Sequence, residues 1–132
     1  MTIRHKLYNR HEKEFASLIP GGERTLASGA KLEKHDVFTA KNETNDHWRF
    51  RYELKYTQKA SYSFKLKEWQ ELKEYVALRG ERPSWAIRFY GPEMDRTENV
   101  EVLADMVLVD LNDWVEILEE LERLRGDAKE GK

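Results

Sequence analysis

The sequence predicts an α/β domain with a mixed central β-sheet flanked by helices. Apolar and polar residues alternate from His47 to Thr57. This period is typical of a strand, because successive side chains point to opposite faces of a sheet. Apolar residues recur at helical spacing before and after this segment, and other apolar runs are bounded by glycine or proline. The resulting order, α-β-β-β-α-β-β-α, indicates helices packed on a mixed sheet.

The N-terminal elements are separated by turn residues. A first helix opens at Asn9 or a near neighbour and ends before Pro20, because proline followed by two glycines stops a helix. A short strand is expected over Glu23–Ala27. Ser28–Ala30 then begins a flexible loop, and Asp36–Ala40 is predicted to be a second strand.

The long strand over 47–57 follows a polar turn at Lys41–Asp46, so it is predicted to pair antiparallel with the strand before it. This pairing places Asp36 and Glu53 near one end of the two strands. The even-numbered residues of the long strand are apolar and form one face, and the odd-numbered residues are polar and form the other. The polar side chains are Arg49, Arg51, Glu53, Lys55 and Thr57.

The C-terminal half is predicted to contain two helices and two strands. A helix runs from about Lys65 to Leu78 and is stopped by Arg79 and Gly80. Strands are expected over Trp85–Tyr90 and Val100–Val109, and Gly126–Lys132 is expected to be a frayed tail. One side of the last helix is lined by Leu111, Trp114, Val115, Leu118 and Leu121.

The length and composition exclude several classes of protein. A chain of 132 residues is expected to form one domain, and the lack of cysteine excludes disulfides and thiolate metal sites. No apolar run reaches the length of a membrane span, and no signal peptide is evident, so we expect a soluble intracellular (cytoplasmic) protein without membrane partners.

The charge is distributed unevenly along the chain. Residues 1–97 carry 19 Lys and Arg against 14 Asp and Glu, whereas residues 98–132 carry 4 against 11. We therefore divide the predicted domain into a basic body (1–97), an acidic strand–helix element (98–125) and a tail (126–132). Such asymmetry is compatible with a polyanion bound on one side, or with ordinary scatter in a highly charged protein.

Asp36, Glu53 and Lys55 are the first candidates for a site. Glu53 and Lys55 project side by side from the polar face of the long strand, where a carboxylate can hold a divalent cation and a lysine can neutralise charge on a phosphate. The alternative is the ordinary polar face of a half-buried strand.

Glu12 is a candidate third carboxylate. It falls on the same helical face as Tyr8, Phe15 and Ile19, where an acidic side chain is costly unless it is paired or binds a metal. A salt bridge to an arginine at the helix edge is the alternative. Three carboxylates without a histidine motif suit Mg²⁺ or Mn²⁺, and most of the four histidines are expected to be solvated or edge residues.

Four segments together resemble the archaeal-type Holliday junction resolvases of the PD-(D/E)xK nuclease superfamily. They are Glu12, the stretch Arg24-Thr-Leu-Ala-Ser28-Gly29-Ala30, Asp36-Val37 and Glu53-Leu54-Lys55. The resemblance covers roughly residues 8–80 and is weaker after Gly91. His35 stands where the superfamily name has proline, and the stretch between Asp36 and Glu53 is long.

The resemblance implies a restriction-endonuclease-like core and a metal-dependent phosphodiesterase that acts as a homodimer. It implies that Mg²⁺ or Mn²⁺ is held by Glu12, Asp36, Glu53 and the backbone carbonyl of Leu54. Lys55 would assist the attacking water, and Arg24 and Ser28 would act in the catalytic loop. The residues it implies for DNA binding are Arg24, Ser28, Gly29, Lys31 and Lys59.

The expected function is therefore a structure-selective DNA endonuclease that resolves four-way junctions by paired nicks, without a nucleotide cofactor. Two alternatives remain open. One is a nuclease of the same fold that acts on other branched DNA or on duplex. The other is a non-catalytic module that stacks single-stranded nucleic acid on aromatic side chains, although core packing is the favoured role for these residues. They are Trp48, Phe50, Tyr52 and Tyr56.

The acidic strand–helix element contains apolar residues that are candidates for a dimer interface. Its strand residues from Val102 to Val109 and its helix over 111–124 offer more apolar surface than a small sheet edge needs. The alternative is that they complete the core of the monomer, which is the favoured role for the strand. A two-fold dimer would match the symmetry of a four-way junction.

Overall fold

The computed structural model describes residues 3–25, 37–39, 48–92 and 99–129 of the chain. Within these ranges the elements follow the predicted order. They are α1 (Ile3–Leu18), β1 (Gly22–Arg24), β2 (Val37–Thr39), β3 (Phe50–Thr57), α2 (Leu66–Ala77), β4 (Arg82–Tyr90), β5 (Val102–Val109) and α3 (Leu111–Lys129). The protein is thus a mixed α/β fold, as the sequence predicts.

The described strands form one five-stranded sheet in the order β1-β2-β3-β4-β5. β1, β2 and β3 pair antiparallel in succession, and β5 pairs antiparallel with β4. β3 and β4 are parallel, which requires a crossover, and α2 provides it. The sheet is therefore mixed, with β3 and β4 in its interior.

Helices cover both faces of β3 and β4. On one face, α1 packs its Tyr8, Phe15 and Ile19 against a core cluster. On the other face, Leu72 and Val76 of α2 pack against the opposite side of β4. The buried members of the α1-side cluster are Val37, Tyr52, Leu54 and Ala86, and those of the α2-side cluster are Leu72, Val76, Trp85 and Ile87.

Both terminal helices are longer than predicted. α1 begins at Ile3 rather than near Asn9, because Leu7 is fully buried against Tyr90 and Ile3 packs on the same cluster. α3 continues to Lys129, so the frayed tail predicted from Gly126 is wrong for residues 126–129. An Arg123–Asp127 ion pair spans Gly126 at helical spacing and supports this extra turn.

The strand bounds differ from the prediction at their ends. β1 ends at Arg24, so Thr25, which was predicted to continue it, is not part of the strand. β3 begins at Phe50 and β5 at Val102, each later than expected, whereas β4 begins at Arg82, earlier than expected. Part of the predicted second strand and the turn over 41–46 lie outside the described residues. Among the helices described here, none is long and apolar enough to cross a membrane.

Candidate active site

The pairing of β2 with β3 brings the two segments of the predicted site together. Val37, which follows Asp36 in the chain, pairs with Tyr52, which precedes Glu53. The predicted antiparallel arrangement is therefore correct for the described part of β2. Four of the predicted site residues lie outside the described ranges. They are Asp36 itself, Ser28, Gly29 and Lys31.

Lys55 is the best-defined member of the site. Its Nζ donates a hydrogen bond to Oε1 of Glu68 at 3.3 Å and lies 3.8 Å from Oε1 of Glu53. The ammonium also lies 5.1 Å from the centroid of the Trp85 ring, within the range of a cation–π contact. Lys55 and Glu53 are side by side, as the alternation of the strand predicts, and both side chains are partly buried.

The surroundings of Lys55 keep its ammonium charged. Burial alone lowers the pKa of Lys55, but the nearby Glu53, Tyr62 and Glu68 outweigh it and raise the pKa above its ordinary value. A lysine held in this state cannot serve as a general base near neutral pH. It can donate hydrogen bonds and stabilise negative charge that develops on a bound group.

Glu68 is a site residue that the sequence analysis missed. It lies in the first turn of α2, and the crossover brings that turn over the polar face of β3. A carboxylate is also favourable there, because the N-terminal end of a helix carries partial positive charge. Only a prediction of the β3–α2 packing could have indicated it, since thirteen residues separate Glu68 from Lys55.

Aromatic side chains pack beside Lys55. Trp85 is fully buried beneath the loop that leads into α2. The Phe64 ring lies 4.7 Å from the Trp85 ring and the Tyr62 ring lies 6.4 Å from it, both measured between centroids. This packing limits the water around Lys55 on one side and strengthens its interactions with Glu53 and Glu68.

Glu12 contacts Arg24, another of the predicted catalytic residues. Arg24 Nε donates to Oε1 of Glu12 at 2.5 Å, joining α1 to β1. The Glu12 side chain is 13% exposed and that of Arg24 is 46% exposed. This is the ion pair that the sequence analysis gave as the alternative to metal binding, so a cation bound at Glu12 would have to share the carboxylate with Arg24.

The donors at this site are oxygens, which is the chemistry that Mg²⁺ and Mn²⁺ take. Glu53 and the Leu54 carbonyl lie on β3, with the Glu53 side chain on the side of the sheet that α2 covers, whereas Glu12 lies on α1, which packs on the other side. Within the described part of the chain, no three histidine or acidic side chains are grouped closely enough to hold a metal ion. The predicted ligand set includes Asp36, which lies outside that part.

Lys59, predicted to contact DNA, is exposed just beyond the end of β3.

Two polar residues have surroundings that the sequence did not predict. His11 was expected at the surface or an edge but is only 1% exposed, with its Nε2 3.1 Å from the Ala86 carbonyl oxygen. Arg51, on the polar parity of β3, is also 1% exposed, because α2 covers this face and Glu81 supplies a partner. The Arg51 guanidinium donates to both oxygens of Glu81, at 2.7 and 3.0 Å.

The aromatic residues of β3 mostly belong to the core. Tyr52 is buried, and burial raises its pKa to about 12. Phe50 packs on the same cluster beneath α1, and Tyr56 packs on a neighbouring cluster. Trp48, before the strand, is covered by Arg82, whose guanidinium carbon lies 4.3 Å from the ring centroid. These positions favour packing over a platform for stacked bases.

No protein-family model, curated protein or solved structure matches this chain. The structure is a mixed sheet with helices on both faces, and Lys55 on its central strand lies between the carboxylates of Glu53 on the same strand and Glu68 on α2.

Proposed function

We propose that this chain is a metal-dependent, structure-selective DNA endonuclease with a restriction-endonuclease-like core, which resolves four-way junctions by paired nicks. The observation that carries the proposal is the geometry of Lys55. Its ammonium is held between Glu53 and Glu68, one strand away from the segment that follows Asp36. The resemblance described above supplies the substrate class.

The chemistry of the proposed reaction is phosphodiester hydrolysis. A bound Mg²⁺ or Mn²⁺ would polarise the scissile phosphate and lower the pKa of a coordinated water. Asp36, Glu53 and the Leu54 carbonyl would hold the cation, and Glu12, the fourth assigned ligand, would have to reach it from the α1 side of the sheet. Lys55, kept protonated by its acidic neighbours, would donate to a phosphoryl oxygen as negative charge develops there.

The remaining assigned residues orient the substrate. Arg24 lies beside Glu12 and is half-exposed, so it can contact a phosphate without leaving the α1–β1 corner. Ser28, Gly29 and Lys31 follow it in the chain, and Lys59 is exposed beyond β3. Contacts of this kind bind the DNA backbone and carry no sequence information. Selectivity would come from the shape of the junction and from a homodimer with two sites.

The direct test is cleavage of labelled four-way junctions beside flap and duplex DNA of the same sequence, with Mg²⁺ present. The proposal expects symmetric nicks in the junction and little cutting of the controls. Equal cutting of all three substrates would indicate a nuclease without junction selectivity. Binding of single strands without covalent change under every divalent metal would overturn the enzymatic assignment.

A further inference from the structure

β5 and α3 present an apolar face that the rest of the described chain leaves uncovered. On β5, Leu103 is 60% exposed and Val107 is 52% exposed, although strand residues of this kind were expected to complete the core. Exposed apolar patches of this extent mark interaction sites on soluble proteins. We call this set the β5–α3 face; its members are Leu103, Val107, Leu111, Trp114, Val115, Leu118, Leu121 and Leu124.

Polar contacts hold the start of α3 to the domain. Arg82 on β4 donates to Asp113 at 2.7 Å and also contacts Glu116, and Lys73 on α2 donates to Asp110 at 3.0 Å. Beyond Ile117, the apolar side chains of α3 remain about half exposed. A helix of 19 residues with an apolar side should bury that side against another surface.

A cavity of about 660 Å³ lies between the first turns of α3 and the α1 side of the sheet. Leu111, Trp114 and Ile117 line it from α3, and Val107 and Val109 line it from β5. Its other walls are formed by Ile19, Phe50, Tyr52 and Ser84. The β5–α3 face therefore continues into a groove that α3 itself does not fill.

The size of the face matches a protein partner. A standard interface buries about 800 Å² on each partner, and eight large apolar side chains, each about half exposed or more, supply an area of that order. β5 is also an edge strand, whose backbone groups can pair with another chain.

The charges of α3 favour a second copy in antiparallel orientation. Residues 111–120 carry four acidic side chains and no basic one, whereas residues 121–129 carry two acidic and three basic ones. An antiparallel pair centred near Leu118 places Asp113 of one helix beside Arg123 and Arg125 of the other, while residues 116–120 of the two helices face one another. Parallel helices would place the two acidic halves together, and an anionic nucleic acid or membrane surface would be repelled.

We infer that the β5–α3 face binds the same face of a second copy, with the two α3 helices antiparallel across a two-fold axis near Leu118. This inference locates the dimer of the proposed function. It rests on exposure and charge alone, so it holds whether or not the protein cleaves DNA. In this arrangement Leu118 faces its own symmetry mate, and Val115 of each copy faces Leu121 of the other.

The first experiment measures mass by light scattering at micromolar concentration. The wild-type chain should give about twice 15.7 kDa, and the double variant Leu118→Glu, Leu121→Glu should give half the wild-type mass. Leu78→Glu is the matched control, because Leu78 is 93% exposed at the end of α2 and lies off the face. A wild-type monomer, or a double variant that stays dimeric with an unchanged circular dichroism spectrum, would overturn the inference.

The second experiment uses conservative substitutions, so that it does not depend on the folding of a charged variant. The chain has no cysteine, so Leu118→Cys should form a single disulfide-linked dimer under mild oxidation, whereas Leu78→Cys should not. A mixture of Val115→Cys and Leu121→Cys should link one variant to the other. If each of these two links mainly to itself, the helices are parallel and the proposed axis is wrong.

Discussion

The ammonium of Lys55 donates a hydrogen bond to the carboxylate of Glu68 at 3.3 Å, and this contact joins β3 to the first turn of α2. Its consequence is that the orientation of the proposed catalytic lysine depends on a residue that the catalytic motif does not contain. Glu68 acts on the reaction only through Lys55, and it is therefore a positioning residue.

Glu68→Gln should lower kcat and leave KM for the junction nearly unchanged. We expect a loss of roughly tenfold to 100-fold, since a misplacement of about 1 Å can cost ~10²-fold in rate. Because Glu68 raises the pKa of Lys55, its removal should also shift the alkaline limb of the pH–rate profile to lower pH. Glu71→Gln, on an exposed position of the same helix, is the matched control. An unchanged alkaline limb would show that Glu68 does not act on Lys55.

Asp36→Asn, Glu53→Gln and Lys55→Ala should each reduce cleavage by about 10²–10³-fold or more, the usual effect of losing one electrostatic contact to a transition state. Folding and junction binding should persist, because Glu53 and Lys55 are only partly buried. Cleavage and gel-shift assays on the same preparations separate the two effects. Lys67→Ala, which alters an exposed lysine of α2, should cleave normally; a wild-type rate in any of the three variants removes that residue from the mechanism.

Mg²⁺ and Mn²⁺ should support cleavage, whereas Ca²⁺ should support junction binding without it. All three ions accept the oxygen donors of the site, but Ca²⁺ is larger and binds in a less strict geometry. Cleavage should stop in excess chelator and return when Mg²⁺ is added back. Full activity in chelator would contradict the metal-dependent mechanism.

Arg24→Ala and Ser28→Ala should lose more cleavage than binding, because Arg24, at the end of β1, and Ser28, in the predicted loop after it, are both assigned to orienting the scissile phosphate. Glu12→Gln should be impaired as well, since it loses a predicted metal ligand and weakens the ion pair with Arg24. Lys13→Ala provides the control, as Lys13 is exposed on the same helix. If the loop variants cleave at the wild-type rate, the loop is only a connector between strands.

The free energy of unfolding should fall as the pH is lowered below about 6.5, the ordinary pKa of histidine. Burial lowers the pKa of His11 in the folded state. The unfolded chain therefore binds more protons between the lowered pKa and about 6.5, and stability rises with pH across that window.

Urea denaturation at a series of pH values measures this dependence. His11→Gln should flatten it, and His5→Gln should not, because His5 is exposed on the first turns of α1. Glu14 and Asp110 also have lowered pKa values, but their ordinary values of 4.5 and 3.8 place their effect at more acidic pH. An identical pH dependence in the His11→Gln variant and the wild-type chain would show that His11 does not titrate on unfolding.

The order of the elements could be predicted because local patterns determine it. The alternation through β3 and the helical spacing in α2 depend on side chains that are near one another in the chain. The start of α1 could not be predicted in this way, because Leu7 is buried by Tyr90, which lies 83 residues away. The same limit applies to Arg51, whose partner Glu81 lies beyond α2.

The sequence predicts those residues of the candidate site that lie on a single strand. It does not predict the residues that tertiary packing brings to that strand. Glu53 and Lys55 share a face by the period of the strand alone, and the structure places them side by side. Glu68 and Trp85 reach Lys55 only through the crossover, so no local pattern indicates them. Glu12 was placed by helical register, and its contact with Arg24 required the position of β1.

The parallel pairing of β3 with β4 has a consequence for folding. Residues 50–90 are one continuous segment, and they contain the crossover helix together with Glu53, Lys55, Glu68 and Trp85. A chain that has formed this β-α-β unit has thus already brought these four side chains together, before α1 or α3 docks. Amide hydrogen exchange should accordingly find its slowest protons in β3 and β4, with α3 opening far more readily.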